Sequence, residues 1–420
     1  MASRGGWWRR EKNNVLLYLV IVFTMLVTQP ANRFFTIYQR DLGFALASVG
    51  IIAVAGSVFD MVSRFSAGVL SDRKGRKRLL LYLVVGAMLF PFLLIHLESP
   101  GGLLFTKVLL SVVHAAFWTI IIAYLYDTNP HKKAGKAYAK ASMALLLVNL
   151  ISPVIGGFVI ERLGYHWLFS LSCYLAVIPL VLIFFLQNPP PREREPLSVK
   201  EEVHDILEKP RFVKVWTLMV VASFTSAFLT TFFPIFLYEE WGLSHTEVGL
   251  FFTGGTVVLL AAQPLMGWVA DRFRSRVVMP ASMTLLGLGL FVMSGASSLV
   301  SLFIGRAVAP IGIFGGRIKG SSLIARLTPN EEHALAQAMF KSSSGVGWSV
   351  MNAAAPLLIA SIGYAGVFRA LGVASLVVGA GYGLLVRRGE KSAQRRHVKH
   401  HHLHSFADTH PEEHVHLRGK

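Results

Sequence analysis

Stretches of about twenty predominantly apolar residues recur twelve times along this chain, and each is long enough, as an α-helix, to cross the roughly 30 Å of hydrocarbon in a bilayer. They run at 14–38, 46–70, 79–97, 103–126, 136–160, 165–187, 213–238, 246–270, 277–296, 299–325, 335–360 and 364–386. The first follows Arg4, Arg9, Arg10 and Lys12 as a signal peptide would, but it is too long for one and reads as a retained helix. With 53% of its 420 residues hydrophobic, 15% charged and a mean hydropathy of +0.53, the chain cannot hide its apolar surface in water-soluble domains. A soluble enzyme is excluded, and an all-α membrane protein with twelve transmembrane helices is predicted. The single cysteine, Cys173, excludes an intrachain disulfide and a multi-cysteine metal site.

The net charge of +18 has a topological reading. Of the 41 lysines and arginines, thirty fall in the amino terminus, in alternate connections and in the carboxyl tail, whereas the opposite connections hold only Arg40 and Arg162. Short cytoplasmic loops retain positive charge, so both termini are expected in the cytoplasm of an integral, multi-pass protein of the plasma or inner membrane. Nucleic acid is not needed to explain the charge.

A break rich in proline and charge separates six spans from six. The expected units are a six-helix bundle over 1–187, a cytoplasmic linker over 188–212, a second six-helix bundle over 213–386 and a histidine-rich tail over 387–420. The halves repeat one another. An offset of 199 residues superposes Gly50 on Gly249, Gly56 on Gly255, Gly68 on Gly267, Asp72 on Asp271, Arg73 on Arg272, Lys107 on Arg306, Gly164 on Gly363 and Phe169 on Phe368. Asn149 and Pro153 meet Asn352 and Pro356 after a four-residue slip. Two pseudo-twofold-related bundles follow, with a substrate site expected between them near the bilayer midplane.

After the second span stands Gly68-Val-Leu-Ser-Asp72-Arg73-Lys74-Gly75-Arg76-Lys77-Arg78, and after the eighth a partial copy with Asp271 and Arg272, in which Arg274 replaces the second glycine. The first copy resembles the signature loop of the major facilitator superfamily, and the twelve spans, the central break and the repeat agree with that resemblance. It implies a secondary transporter in which this loop, with Asp127 at the end of the fourth span, latches the two halves. The expected gating residues are therefore Gly68, Asp72, Arg73, Gly75, Arg76, Asp127, Asp271 and Arg272. The fifth span carries Asn149-Leu-Ile-Ser152-Pro153-Val-Ile-Gly156-Gly157. It is similar to the signature that the superfamily associates with antiporters, the drug/proton branch, with Pro153, Gly156 and Gly157 as the kink. A packing kink without bearing on transport explains the same residues.

Ionisable side chains inside spans are costly and face a protein interior or a wet cavity. Lys107 and Arg306, present in both halves, suit scaffold or gate. Charges without a repeat partner suit substrate or proton. Asp60 shares a helical stripe with Gly56, Arg64 and Gly68, so it serves either as proton carrier or as half of a self-satisfied pair with Arg64. His114 is a second candidate for proton coupling. Arg33, Arg64, Trp118 and Arg317 are the expected substrate ligands, and Lys319 adds a further cation. Such a cavity favours anions or polar neutral solutes.

In the tail, His400, His401, His402 and His404 form the densest part of a histidine run able to hold a divalent metal. No phosphate-cradling Gly-x-x-x-x-Gly-Lys-Ser/Thr sequence occurs, so neither nucleotide hydrolysis nor a cofactor is expected. The first functional expectation is proton-coupled export of a small organic molecule by alternating access. Proton-linked uptake of an organic anion and metal-responsive transport or sensing through the tail are the alternatives.

Overall fold

The computed structural model describes residues 4–129, 131–189, 206–328 and 333–409. The helices are α1 (Arg4–Asp41), α2 (Leu46–Lys74), α3 (Arg76–His96), α4 (Pro100–Thr128), α5 (His131–Leu163), α6 (Tyr165–Phe184), α7 (Pro210–Glu239), α8 (His245–Arg272), α9 (Ser275–Ser294) and α10 (Leu299–Leu327). A last helical stretch, His333–Thr409, is divided at Gly363, whose φ of +68° no helix accommodates, into α11 (333–362) and α12 (364–409). Its apolar part, Ala336–Leu384, has 49 residues, about 74 Å of helix, which is enough for two crossings. Twelve helices of membrane-crossing length therefore stand where the hydropathy places twelve spans. The expected linker, 188–212, falls largely on residues outside those described.

The repeat is written into the backbone. Gly43 and Gly242, 199 residues apart, end the turns after α1 and α7 at φ +84° and +63°. Gly164 and Gly363, at φ +89° and +68°, open α6 and α12. These are left-handed conformations that glycine adopts without a Cβ penalty. Ser99 and Ser298, also 199 apart, cap the first turns of α4 and α10 with their hydroxyls. The correspondence fails at one turn. Gly75 takes φ +86° ahead of α3, whereas Arg274 precedes α9 at φ −68°.

The halves meet backbone to backbone. A Cβ on Gly50 would lie 2.6 Å from the Asn352 carbonyl oxygen and 2.8 Å from the Pro356 ring, so α2 lies directly on α11. A Cβ on Gly249 would overlap the Pro153 carbonyl, so α8 lies on α5 in the repeat-related way. Small residues let helices approach this closely where the hydrophobic effect cannot drive them together. Of the two kink glycines, Gly156 packs on Phe34 and Pro30 of α1, and Gly157 receives the His245 carbonyl at the start of α8. Helix α5 runs unbroken through Pro153. Thr253 of α8 donates to the Leu150 carbonyl at 2.7 Å, beside the backbone that the proline leaves short of a donor.

Candidate functional site: the cleft between the halves

At the face opposite the chain termini the halves are joined by a polar seal. Arg40 at the end of α1 pairs with Glu239 at the end of α7 at 2.5 Å. The two residues are 199 positions apart, so they occupy the same place in each repeat, and their contact lies on the axis relating the halves. Around them the Tyr165 hydroxyl donates to Asp41 at 2.8 Å and lies 2.9 Å from His245 Nε2, while the Thr246 N–H donates to Glu161 at 3.0 Å. Reversing one charge, Arg40→Glu, sets two acids face to face, and the exchange Arg40→Glu with Glu239→Arg restores the pair. Because both side chains keep about 30% of their surface in water, a double-mutant cycle on the closure of this face is expected to give ~0.5 kcal/mol of coupling. Zero coupling would remove the pair from the seal.

Beneath the seal, about 10 Å in from the ends of α1, α8 and α10, cations and aromatic rings alternate. The Arg33 guanidinium lies 5.0 Å from the centroid of Phe252, and that of Arg306 lies 5.4 Å from the same ring and 5.8 Å from Phe233. Both Nε atoms are buried and without a hydrogen-bond partner, although each side chain keeps part of its surface accessible. In the first half Lys107 donates to Asn32 at 2.9 Å and lies 5.4 Å from the centroid of Phe35. Gly56 makes room for the stem of Lys107, whereas a Cβ on its counterpart Gly255 would meet the Arg306 guanidinium only at van der Waals distance, 3.8 Å.

The other expected site residues do not gather at this point. Asp60 accepts two hydrogen bonds from Arg64, at 2.7 and 3.0 Å, so the pair permitted by their spacing is formed. Its members keep 30% and 47% of their side-chain surface accessible. His114 Nε2 lies 2.8 Å from the Thr28 hydroxyl, which donates to the Thr24 carbonyl at 3.2 Å. Arg317 donates to the Ser344 hydroxyl at 3.2 Å, and Trp118, half-buried, packs on the core cluster of the first half. Lys319 donates to the Ala270 carbonyl at 2.5 Å and sits apart, between α10 and α8.

In the signature loop, Arg76 is buried and donates to Asp127 at 2.8 Å and to the Ser71 hydroxyl. The side chains of Asp72 and Arg73, like those of His400, His401, His402 and His404, lie outside what the structure describes. Among the described residues no group of three or more His, Cys, Asp or Glu could hold a metal.

The family model described as Major Facilitator Superfamily matches residues 17–236 and 215–411. The chain belongs to the Major Facilitator Superfamily. It is thus an integral, multi-pass membrane transporter and not an enzyme. An uncharacterized MFS-type transporter of Methanocaldococcus jannaschii is 18% identical over 383 residues, which are 88% of this chain and 97% of that one. Multidrug resistance protein MdtG of Dickeya zeae is 25% identical over 87% of this chain and 90% of its own. A protein of Staphylococcus epidermidis named "Probable nitrate transporter NarT" is 22% identical over 74% and 79%. Among solved structures, a bacterial homologue of the human lysosomal transporter Spinster, inward-facing and unoccupied, superposes with a TM-score of 0.72 at 14% identity, covering 90% of this chain and 97% of that one. A peptide transporter in complex with sulfate gives 0.75 at 13% identity, over 90% and 94%. At these identities the likeness to the solved structures establishes the fold.

The convergence of Arg33 and Arg306 on Phe252 was not legible in the sequence, because it joins residues more than 200 positions apart that no spacing relates. The Arg40–Glu239 pair was legible in principle: opposite charges at the repeat offset, near the ends of matching spans, are the signal.

Proposed function

We propose that this superfamily member carries a small organic anion across the membrane by alternating access, with Arg33 and Arg306 as its principal ligands. The halves, 1–187 and 213–386, rock as units about the cleft, and both termini face the cytoplasm. The supporting observation is the pair of guanidiniums on the Phe252 ring, their Nε atoms unpartnered in an otherwise apolar place. Two like charges set close together in low dielectric repel, and an anion between them removes the repulsion while making charge-assisted hydrogen bonds. The rings of Phe233 and Phe252 beside the guanidiniums suit an anion with an apolar body.

Arg33→Gln or Arg306→Gln is expected to weaken binding of an aromatic carboxylate about 30-fold or more, because the remaining cation is left unpaired at the same site. Lysine at either position recovers binding only in part, since it lacks the planar fork. The measurement is equilibrium binding to purified protein in lipid. Wild-type affinity in both glutamine variants would overturn the reading.

Proton-coupled export, the mode suggested by the multidrug-resistance names among the relatives, falls to Asp60. It is a carboxylate inside the spans, it keeps part of its surface accessible, and it is paired with Arg64. Asp60→Asn is expected to leave anion binding intact and to abolish the dependence of flux on a pH gradient in proteoliposomes. Unchanged pH-driven flux would take Asp60 out of the coupling.

A further inference from the structure

A second basic cavity lies away from the cleft, at the face that carries the basic loops. It has a volume of about 390 Å³ and is lined by Asp271, Arg272, Arg274, Ser275, Lys319 and Arg326, with Phe273, Ser322 and Leu323 completing the wall. The repeat explains why it is open. In the first half the corresponding place between α2, α3 and α4 is filled by the chain itself, where Arg76 is buried against Asp127 and Ser71. Moving 199 residues along turns Arg76 into Ser275, Asp127 into Arg326, Ser71 into Ala270, Gly75 into Arg274 and Ile120 into Lys319. The second half has lost the internal carboxylate, lost the arginine it held, and gained three cations. One acid, Asp271, faces four basic side chains around a space wide enough for a phosphate group.

The depth of the cavity is marked by Trp268 and Phe273, both exposed, in edge-to-face contact at 6.0 Å, with the Arg272 guanidinium 5.8 Å from the centroid of the tryptophan ring. Exposed aromatic residues beside arginines are characteristic of the headgroup level of a bilayer. Lys319 is buried, with its ammonium held toward the α8 carbonyl end by Ala270, and so forms a preset charged wall of the cavity. We propose that this cavity holds the phosphate of an anionic lipid headgroup from the leaflet at the basic face, gripped by Arg272, Arg274 and Arg326. The lipid takes the place that Asp127 fills in the first half, and so bridges α8, α9 and α10 where the protein has no acid of its own to do so.

The test compares the full-length protein with the variant Ser275→Arg/Arg326→Asp, which rebuilds in the second half the ion pair of the first, and with Arg274→Gly and Arg326→Gln. Each is purified in neutral detergent and titrated with phosphatidylglycerol or with phosphatidylcholine, and bound lipid is counted by native mass spectrometry. The wild type is expected to retain one phosphatidylglycerol in preference to phosphatidylcholine. Each single variant is expected to bind it about fivefold more weakly, and the double variant to lose the preference. Arg274 and Arg326 are exposed, so the single variants test the site without disturbing the bundle. Equal retention by wild type and double variant would overturn the proposal. So would protection of the wild type against thermal unfolding by inorganic phosphate alone, to the same extent as by phosphatidylglycerol, which would assign the cavity to a soluble phosphate.

Discussion

Asp127→Ala is expected to lower stability by about 3–5 kcal/mol, because it takes the carboxylate away from a buried Arg76 guanidinium at a site where both partners keep only 7% of their side-chain surface accessible. The loss should appear as a marked fall in the thermal unfolding midpoint of the purified protein. The double variant Arg76→Met/Asp127→Leu is expected to recover much of it, since apolar groups of similar volume carry no desolvation penalty. A latch that acts only in gating would behave differently: Asp127→Ala would change transport rates while leaving the unfolding midpoint in place. The first outcome makes the signature loop a folding element of the first half, and it explains the burial of Arg76 within a run of basic residues.

The second large effect is expected at Gly249. Any side chain there meets the Pro153 carbonyl of the opposite half, which is backbone and cannot rotate away. Gly249→Val therefore penalises the state in which α5 and α8 touch and leaves the separated state unaffected. A penalty of about 1–3 kcal/mol borne by one of two states changes their ratio about 5- to 150-fold. In a background with Cys173→Ser, a cysteine placed at Thr246 should react faster with a water-soluble maleimide in the Gly249→Val variant than in its parent, and net flux should fall. Gly50→Val, its counterpart against Asn352 and Pro356, is expected to act in the same direction. Wild-type labelling rates in both variants would show that the glycine contacts are not what closes this face.

The fold was almost wholly readable in the sequence because a bilayer leaves few options. Apolar length fixes the spans, and the 199-residue offset implies two matching bundles. The shared glycines were visible as letters, but their reason was not. Gly50 and Gly249 recur because each receives backbone of the opposite half, a relation that only three-dimensional packing displays. The site was read less well. Arg306 reads in sequence as scaffold because Lys107 matches it, yet in space it shares the Phe252 ring with Arg33, a residue without a counterpart. Repeat symmetry sorts residues by ancestry, whereas ligand contact depends on which rings and charges the packed helices bring within a few ångströms. The Asp60–Arg64 pair, by contrast, is local, and a four-residue spacing was enough to foresee it.

The contact between Arg40 and Glu239 has a consequence for how such a chain could arise. If two identical copies of one half associated about a dyad, each residue on that dyad would face itself, and no acid could face a base there. A salt link between equivalent positions is open only to two copies that have diverged in sequence. This point on the chain thus records that the halves had ceased to be identical before the present bond formed, and the first half expressed alone as a homodimer would bring arginine against arginine.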